Sequence, residues 1–403
     1  MNDITNAFNN FFVSVSEKLL QTQSVLDDAD SSSDSFYSYL KTPNSHAAFF
    51  KPITGSEIIK IVRNMKNDTS AGIDSINIKV IKRVIFLICD PLCIIFNQSL
   101  AYGVVPNDLK VARITPIHKK GKMDDVNNYR PVSVLNIFAK ILERCIYERL
   151  LEFLDSHNIL YKNQFGFRKG HSTSTAILEL IHKINNAIDE GKFTLAVFID
   201  LSKAFDVIDH EILIKKLYYY GVRGTPLKWF SSYLESRKQL TIINNIKSEY
   251  KTVRYGVPQG SILGPLLFLI YINDIIYCNQ SINFILFADD TSIFSSGKNL
   301  DSLFQLINRQ LKDISQWMRA NRLILNTGKT NYMIFGTRNT QNVDQNFKLY
   351  YRNEEITKAQ NVKFLGIYLD DKLSWNYHIN DLCVKLSRKI GIFYRLQFLP
   401  QKY

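Results

Sequence analysis

Apolar residues recur at helical spacing in several stretches of the chain and run together at strand length in others. In "TGSEIIKIVRNMK" (54–66), Ile58, Ile61, Val62 and Met65 share one helix face behind a Thr54–Glu57 capping-box pattern. A second helix is predicted over about 75–100, broken near Asp90–Pro91. "FAKILERCIYERLLEFL" (138–154) is strongly amphipathic, with Phe138, Ile141, Leu142, Ile146, Leu150 and Leu154 on its apolar side. "HEILIKKLYYYG" follows Asp209 as N-cap and ends at Gly221. "LDSLFQLINRQLKDISQWM" (300–318) gives another helix. Strand-like pieces occur at "ARITPIHKKGK" (112–122), "TLAVFID" (194–200), "YMIFG" (332–336) and "VKFLGIYLD" (362–370).

These elements mix without regular βαβ alternation, which predicts an α+β fold. No internal repeat or heptad pattern is present. Residues 1–50 open with a short amphipathic stretch and pass into the polar "DDADSSSDSFYS", which reads as a flexible linker with a helix ahead of it.

Charge narrows the function. The 403 residues carry a formal net charge of +13. Residues 1–50 hold two lysines against six acids, so the other 353 carry +17. A basic body of that size points to an anionic partner, nucleic acid above all, with solubility alone as the blander reading. The five cysteines are scattered and form no CxxC pair, which argues against a zinc site or a disulfide framework. The N-terminal residues lack a signal-peptide pattern, and the longest apolar run, "ILGPLLFLIYI", is too short to span a bilayer. The expectation is a soluble intracellular protein with no membrane partner.

One stretch does not fit an ordinary core. In "SINFILFADDTSIFSS" (281–296), Asp289 and Asp290 sit side by side between apolar runs of strand length. A tight hairpin would put the pair at its turn, where aspartate tolerates unusual backbone angles. "LAVFID" delivers a third carboxylate, Asp200, at a strand end. Two such strands packed together would cluster carboxylates in a basic protein. Hard divalent cations answer that clustering, and Mg²⁺ favours carboxylate plus phosphate oxygens. A pair of such ions can activate a 3′-hydroxyl and stabilise leaving pyrophosphate.

The order of motifs then makes a family visible. "VARITPIHKKG", "NYRPVSVLNIFAKILER", "FIDLSKAFDVIDH", "GVPQGSILGPLLFLIYINDI", "FADD", "NRLILNTGKTNYMIF" and "VKFLGIYLD" occur in sequence. Together they resemble the reverse transcriptases of non-LTR (LINE-type) retrotransposons, from about residue 50 to about 395. The resemblance implies a right-hand polymerase with fingers, palm and the start of a thumb. The implied boundaries are 1–50 as an N-terminal extension, 51–375 as fingers and palm (core motifs about 100–370) and 376–403 as the beginning of a thumb. It also implies an RNA template, a DNA primer or target, deoxynucleotide (dNTP) substrates, two Mg²⁺ ions with Mn²⁺ as a possible substitute, and action in the nucleus.

Carried over by motif, Asp200, Asp289 and Asp290 match the metal-binding and catalytic aspartates. Phe205 matches the bulky aromatic under the incoming sugar, where a ring clashes with a 2′-OH. Gln259 in "GVPQGS" matches a glutamine near the nucleotide sugar. Lys119 (or Lys120, the register being open) and Arg130 match residues that bind the triphosphate. Lys329 in "NTGKTNY" matches a lysine that protonates leaving pyrophosphate; "GKT" there is no P-loop, because Leu323 stands where that motif needs glycine. Phe364, Leu365 and Gly366 match the primer grip. Asp209 reads as a cap, and Asp206 is left open. Elements of this family carry an endonuclease ahead of the polymerase, for which this chain has no room, and "FLPQKY" stops early in the thumb. The expectation is therefore a fragment or truncated copy. The alternatives to the polymerase are a remnant that only binds nucleic acid, and a group II intron maturase or telomerase-like enzyme.

Overall fold

The computed structural model describes residues 2–27, 35–40, 42–278, 281–336 and 347–396. Most of the polar tract "DDADSSSDSFYS" and the last residues of the segment expected to begin a thumb lie outside them. The chain is α+β and forms two compact units. Among the described residues, no helix is long and apolar enough to cross a membrane.

The first unit comprises Met1–Lys162, Leu201–Cys278 and Gln316–Ile324. Its mixed sheet has the order β2 (Tyr129–Val134), β1 (Val111–His118), β4 (Arg237–Ile243), β5 (Ile246–Lys247), with β6 (Lys251–Val253) also paired to β4. Helices α1 (Asn2–Asp27), α2 (Gly55–Asn64), α3 (Ile78–Tyr102) and α4 (Ile137–Ser156) belong here. The second unit comprises Asn163–Asp200, Asn279–Ser315 and Leu325–Tyr403. It contains α5 (Thr173–Asp189) and β3 (Phe193–Ile199). To the first unit belong α6 (His210–Tyr219), α7 (Thr225–Leu234) and α8 (Leu263–Ile272), the last buried all round as its unbroken apolar sequence requires.

The six-stranded sheet of the second unit has β3 near its centre. It pairs antiparallel with β8 (Asp290–Gly297) on one side and β9 (Asn331–Phe335) on the other; β7 (Asn283–Phe287) flanks β8, and β11 (Glu354–Lys358) and β10 (Leu349–Tyr351) lie beyond β9. α9 (Leu300–Ala320) links the two units along the chain. A separate hairpin, β12 (Asn361–Phe364) and β13 (Ile367–Asp370), precedes α10 (Asn376–Leu396). Ala176, Leu180 and Ile184 of α5 pack on Ala196, Ile285, Phe294, Met333 and Phe335, and Val362, Phe364 and Leu369 join the same core. That core fixes the sheet whose strand ends carry the aspartates.

Two local expectations are corrected. The predicted helix break at Asp90–Pro91 does not occur: α3 runs through Pro91. Proline forfeits the bond to the carbonyl four residues earlier, but Leu87 there is 81% exposed and water can take its place. Burial of Ile81, Ile85 and Cys89 before Pro91 and of Phe96 after it holds both halves in one line. The capping box of α2 forms, with a further partner for its acid: the Thr54 backbone bonds the Glu57 carboxylate. Thr54 accepts from the Glu57 N–H, while the Glu57 carboxylate also pairs with Arg149 at 2.6 Å. Finally, the N-terminal segment is more than a helix ahead of a linker. α1 extends over 26 residues, and its Thr5, Phe8, Asn9, Phe12 and Ser16 are buried. Phe8 and Phe12 pack on Ala112 and Ile114 of β1.

Candidate active site

In the second unit, strand register brings the acidic residues together. Ile199 pairs with Thr291 across one ladder and Phe198 with Asn331 across the other. Continued past these pairs, the ladders set Asp200 opposite Asp290 one step on and opposite Lys329 two steps on. Lys329 Nζ lies 3.5 Å from Asp200 Oδ2. The Asp200 backbone is tied at both groups: its N–H donates to Thr330 Oγ1 at 3.2 Å, and its carbonyl accepts from the Asn326 N–H at 2.8 Å.

The other carboxylates sit on the β7–β8 hairpin. Phe287 pairs with Asp290, so the turn is Ala288–Asp289. The strained position is not an aspartate, as the sequence suggested, but Ala288, with φ +56°. Gln164 holds it there. Its Oε1 accepts from both the Ala288 N–H (3.0 Å) and the Gly166 N–H (2.9 Å). Gly166 lies so close that a Cβ on it would come within 2.3 Å of the Ala288 nitrogen. Phe165 N–H and Leu286 N–H complete the attachment through Leu286 O and Asn163 O. Sequence reading missed this brace, because "NQFG" carries no chemistry-bearing side chain and no periodicity.

Electrostatics mark the cluster as short of positive charge. The Asp290 carboxyl is pushed up to about 6, first by loss of surrounding water and then by the charges of Asp289 and Asp200. Its side chain is nevertheless solvent-accessible, so packing around the group, more than complete enclosure, carries the effect. Among the described residues, no three His, Cys, Asp or Glu side chains are grouped so that they could hold a metal ion as they stand. The donor set still fits a hard divalent cation: it is all carboxylate oxygen, and its members repel one another.

The remaining dNTP-binding candidates lie in the first unit. Phe205 is half-buried and stacks on Phe268 of α8, ring centroids 4.5 Å apart. Its carbonyl accepts from the Val257 N–H at 2.9 Å. Asp206 proves to be the partner of Gln259, whose Nε2 donates to Asp206 Oδ1 at 2.7 Å. Burial raises the Asp206 carboxyl above its ordinary value, against the opposing pull of that bond and of Lys203. Gly256, at φ +78°, leaves no slack: a Cβ there would lie 2.7 Å from Asp206 O and 2.8 Å from Phe205 O. The Gln259 carbonyl accepts from the Ser133 N–H at 2.7 Å, which joins this loop to β2.

Arg130 is exposed on β2 opposite Ile117. The ladder continues past β1, since Lys119 N–H donates to Asn128 O at 2.8 Å. Two residues beyond Ile117, Lys119 therefore shares the face of Arg130, while Lys120 falls on the other. The cap reading of Asp209 is sound: Oδ1 accepts from the Ile212 N–H, and Oδ2 also pairs with Arg322 at 2.5 Å.

In the β12–β13 hairpin, Phe364 pairs with Ile367 around a Leu365–Gly366 turn, both at positive φ. Phe364 is buried against Phe198, centroids 5.5 Å apart, so its side chain anchors the hairpin; Leu365 packs in part on the same core, and Gly366 is exposed.

A further residue escaped the sequence reading. Glu143 of α4 is buried; it accepts from Tyr233 Oη at 2.7 Å and from the Ile262 N–H at 2.7 Å. It thereby secures the loop between Gln259 and α8. An acid within the apolar face of a helix was the available signal.

Residues 117–369 match the family described as reverse transcriptase (RNA-dependent DNA polymerase). The chain is 32% identical over 84% of its length to a probable RNA-directed DNA polymerase from transposon BS of Drosophila melanogaster, of which it covers 38%. It is 29% identical, over 88% of its length and 39% of the relative, to the RNA-directed DNA polymerase from mobile element jockey of the same organism. A third relative, the putative 115 kDa protein of the type-1 retrotransposable element R1DM, is 24% identical over 84% of this chain and 32% of its own. The chain thus spans about two-fifths of the length of the first two.

Proposed function

Because the chain belongs to the reverse transcriptase (RNA-dependent DNA polymerase) family, we propose that it is the RNA-directed DNA polymerase of a non-LTR retrotransposon. It adds deoxynucleotides to a primer 3′-OH as directed by an RNA template. The observation that carries this reading is the register of β9, β3 and β8, which lines up Lys329, Asp200 and Asp290 beside the Asp289 turn.

Asp200, Asp289 and Asp290 would hold two Mg²⁺ ions, with Mn²⁺ as a substitute; when bound, such ions lower the pKa of the attacking hydroxyl and offset charge on the leaving group. The raised Asp290 carboxyl supports this, because a bound cation would offset both the lost water and the neighbouring charges that raise it. Lys329 donates a proton to the departing pyrophosphate oxygen and already faces Asp200. Arg130 and Lys119, on one face of the β1–β2 hairpin, take the triphosphate, the guanidinium in a bidentate pair and the ammonium as a point charge. The Phe205 ring, backed by Phe268, excludes a 2′-OH, and Gln259, fixed by Asp206, contacts the sugar. The Leu365–Gly366 turn positions the primer end. Residues 51–375 serve as fingers and palm and α10 as the start of a thumb. Action in the nucleus, where target DNA primes synthesis, follows from the same reading.

Primer extension on poly(rA)/oligo(dT) tests it. The full chain should extend the primer only with Mg²⁺ or Mn²⁺, and Asp289→Ala should abolish extension. Tight, salt-sensitive binding with no extension would instead identify a nucleic-acid-binding remnant.

A further inference from the structure

α1 is held by specific polar bonds rather than by grease alone. Asn6 Oδ1 accepts from the Glu249 N–H at 3.0 Å, and Asn9 Nδ2 donates to Glu249 O at 2.8 Å. Asn9 Oδ1 accepts from Gln239 Nε2 of β4 at 3.1 Å. Two turns on, Ser16, 4% exposed, donates from Oγ to the backbone carbonyl of Asp206 at 2.7 Å. Beside it, Lys203 Nζ sits 4.5 Å from the centre of the Phe11 ring. α1 therefore grips both ends of the turn 203–206, a segment with Lys203 at φ +48°.

That turn has no freedom on its other side. Gly256 presses on Asp206 and Phe205, and Val257 and Gln259 bond to the same two residues. A cavity of about 50 Å³ lies between Phe12, Val13 and Ser16 of α1 and Asp206, Val257 and Gln259. Removing the α1 contacts would let the turn relax into this space and carry Phe205 and Gln259 with it.

We propose that α1 is a built-in brace of the nucleotide pocket and that Ser16 is a positioning residue that sets sugar selectivity through Asp206. The proposal rests on the reading of Phe205 as the residue that excludes a 2′-OH. Ser16 touches no substrate; it holds the carbonyl of the residue next to Phe205, and the Asp206 carboxylate holds Gln259. One hydrogen bond at the hinge of the turn thus bears on both contacts to the sugar.

The test compares the full-length protein with Ser16→Ala, Ser16→Thr, Phe11→Leu and Phe205→Val. Two readouts are taken: the ratio of kcat/KM for deoxynucleotide over ribonucleotide, and hydrogen exchange of the peptides covering 203–208 and 256–259. Ser16→Ala should lower the ratio about three- to tenfold, the worth of one hydrogen bond, and speed exchange in those peptides but not in β7 and β8. Ser16→Thr keeps the hydroxyl, and the adjoining cavity takes its methyl, so it should restore both. Phe11→Leu, which loses the ring under Lys203, should shift both readouts in the same direction as Ser16→Ala. If Phe205→Val lowers the ratio while Ser16→Ala and Phe11→Leu leave ratio and exchange unchanged, the brace is overturned and the sugar reading stands. If Phe205→Val leaves the ratio unchanged, the sugar reading fails and takes the selectivity role of Ser16 with it.

Discussion

Lys329 Nζ lies 3.5 Å from Asp200 Oδ2, the two residues facing each other two steps past the last β3–β9 pair. Both side chains are partly exposed, so this pair adds little to stability. Its value is placement: an ammonium lies beside the carboxylate cluster, where the proposed reaction would use a proton donor.

Lys329→Ala should lower single-turnover primer extension by about a hundredfold or more, in the range of a lost general acid. The KM for deoxynucleotide should move far less. Lys329→Arg should restore charge but little rate, since guanidinium does not release a proton near neutral pH. Rapid-quench extension checks both, and an undiminished rate for Lys329→Ala would remove this residue from the mechanism.

The mutual repulsion of Asp200, Asp289 and Asp290 predicts a metal effect on the fold. Mg²⁺ should raise the melting temperature at pH 7.5 by a few degrees. Asp290→Asn, with one repelling charge fewer, should stabilise the metal-free protein by about 1 kcal/mol, discounted for the exposure of the side chain. It should also blunt the Mg²⁺ response. Differential scanning fluorimetry with and without EDTA reads both outcomes.

The brace under the Asp289 turn predicts steep local costs. Gly166→Ala drives a methyl to 2.3 Å from the Ala288 nitrogen and should abolish extension. Gln164→Met leaves two buried N–H groups without an acceptor and should cost about 2–4 kcal/mol. Gln164→Glu keeps an acceptor oxygen and should cost less. Ala288→Gly relieves the left-handed backbone and should gain up to about 1 kcal/mol. Urea denaturation ranks the four.

Glu143 gives the pH prediction. Burial raises its carboxyl, with Tyr233 and the Ile262 and Leu263 N–H groups opposing. A carboxyl raised in the folded state binds protons more readily there than in the unfolded chain. Its contribution to stability therefore falls as pH rises from the ordinary carboxylate range to its raised value. Glu143→Gln, neutral throughout, should flatten that slope; Glu143→Leu should lose about 2 kcal/mol or more by orphaning the Ile262 N–H. Denaturation midpoints between pH 4 and 8 discriminate them.

What the sequence made legible was what apolar patterning aims. Asp200 and Asp290 are readable because one follows and the other opens a strand whose central residues are buried. Asp206 was not, since its role depends on Gln259, 53 positions away. The extent of α1 was hidden because, among its described side chains, three of the five buried ones are polar, which erases the amphipathic signal. Pro91 misled because a rule about helix interiors ignores whether water can reach the orphaned carbonyl. Gln164 and Gly166 were silent because they act on backbone atoms, and backbone atoms leave no pattern.

β3 obtains its partners from far along the chain. Thr194 meets Ser296, 102 residues on, and Asp200 meets Thr330, 130 residues on. Because strand side chains alternate, a slip of one residue in either ladder would turn Asp200 away from its neighbours. Chemistry is thereby conditional on two separate long-range pairings both being right. A copy with either pairing wrong would lack the clustered carboxylates altogether, so correct assembly of the sheet acts as a licence that each molecule must obtain before the site exists at all.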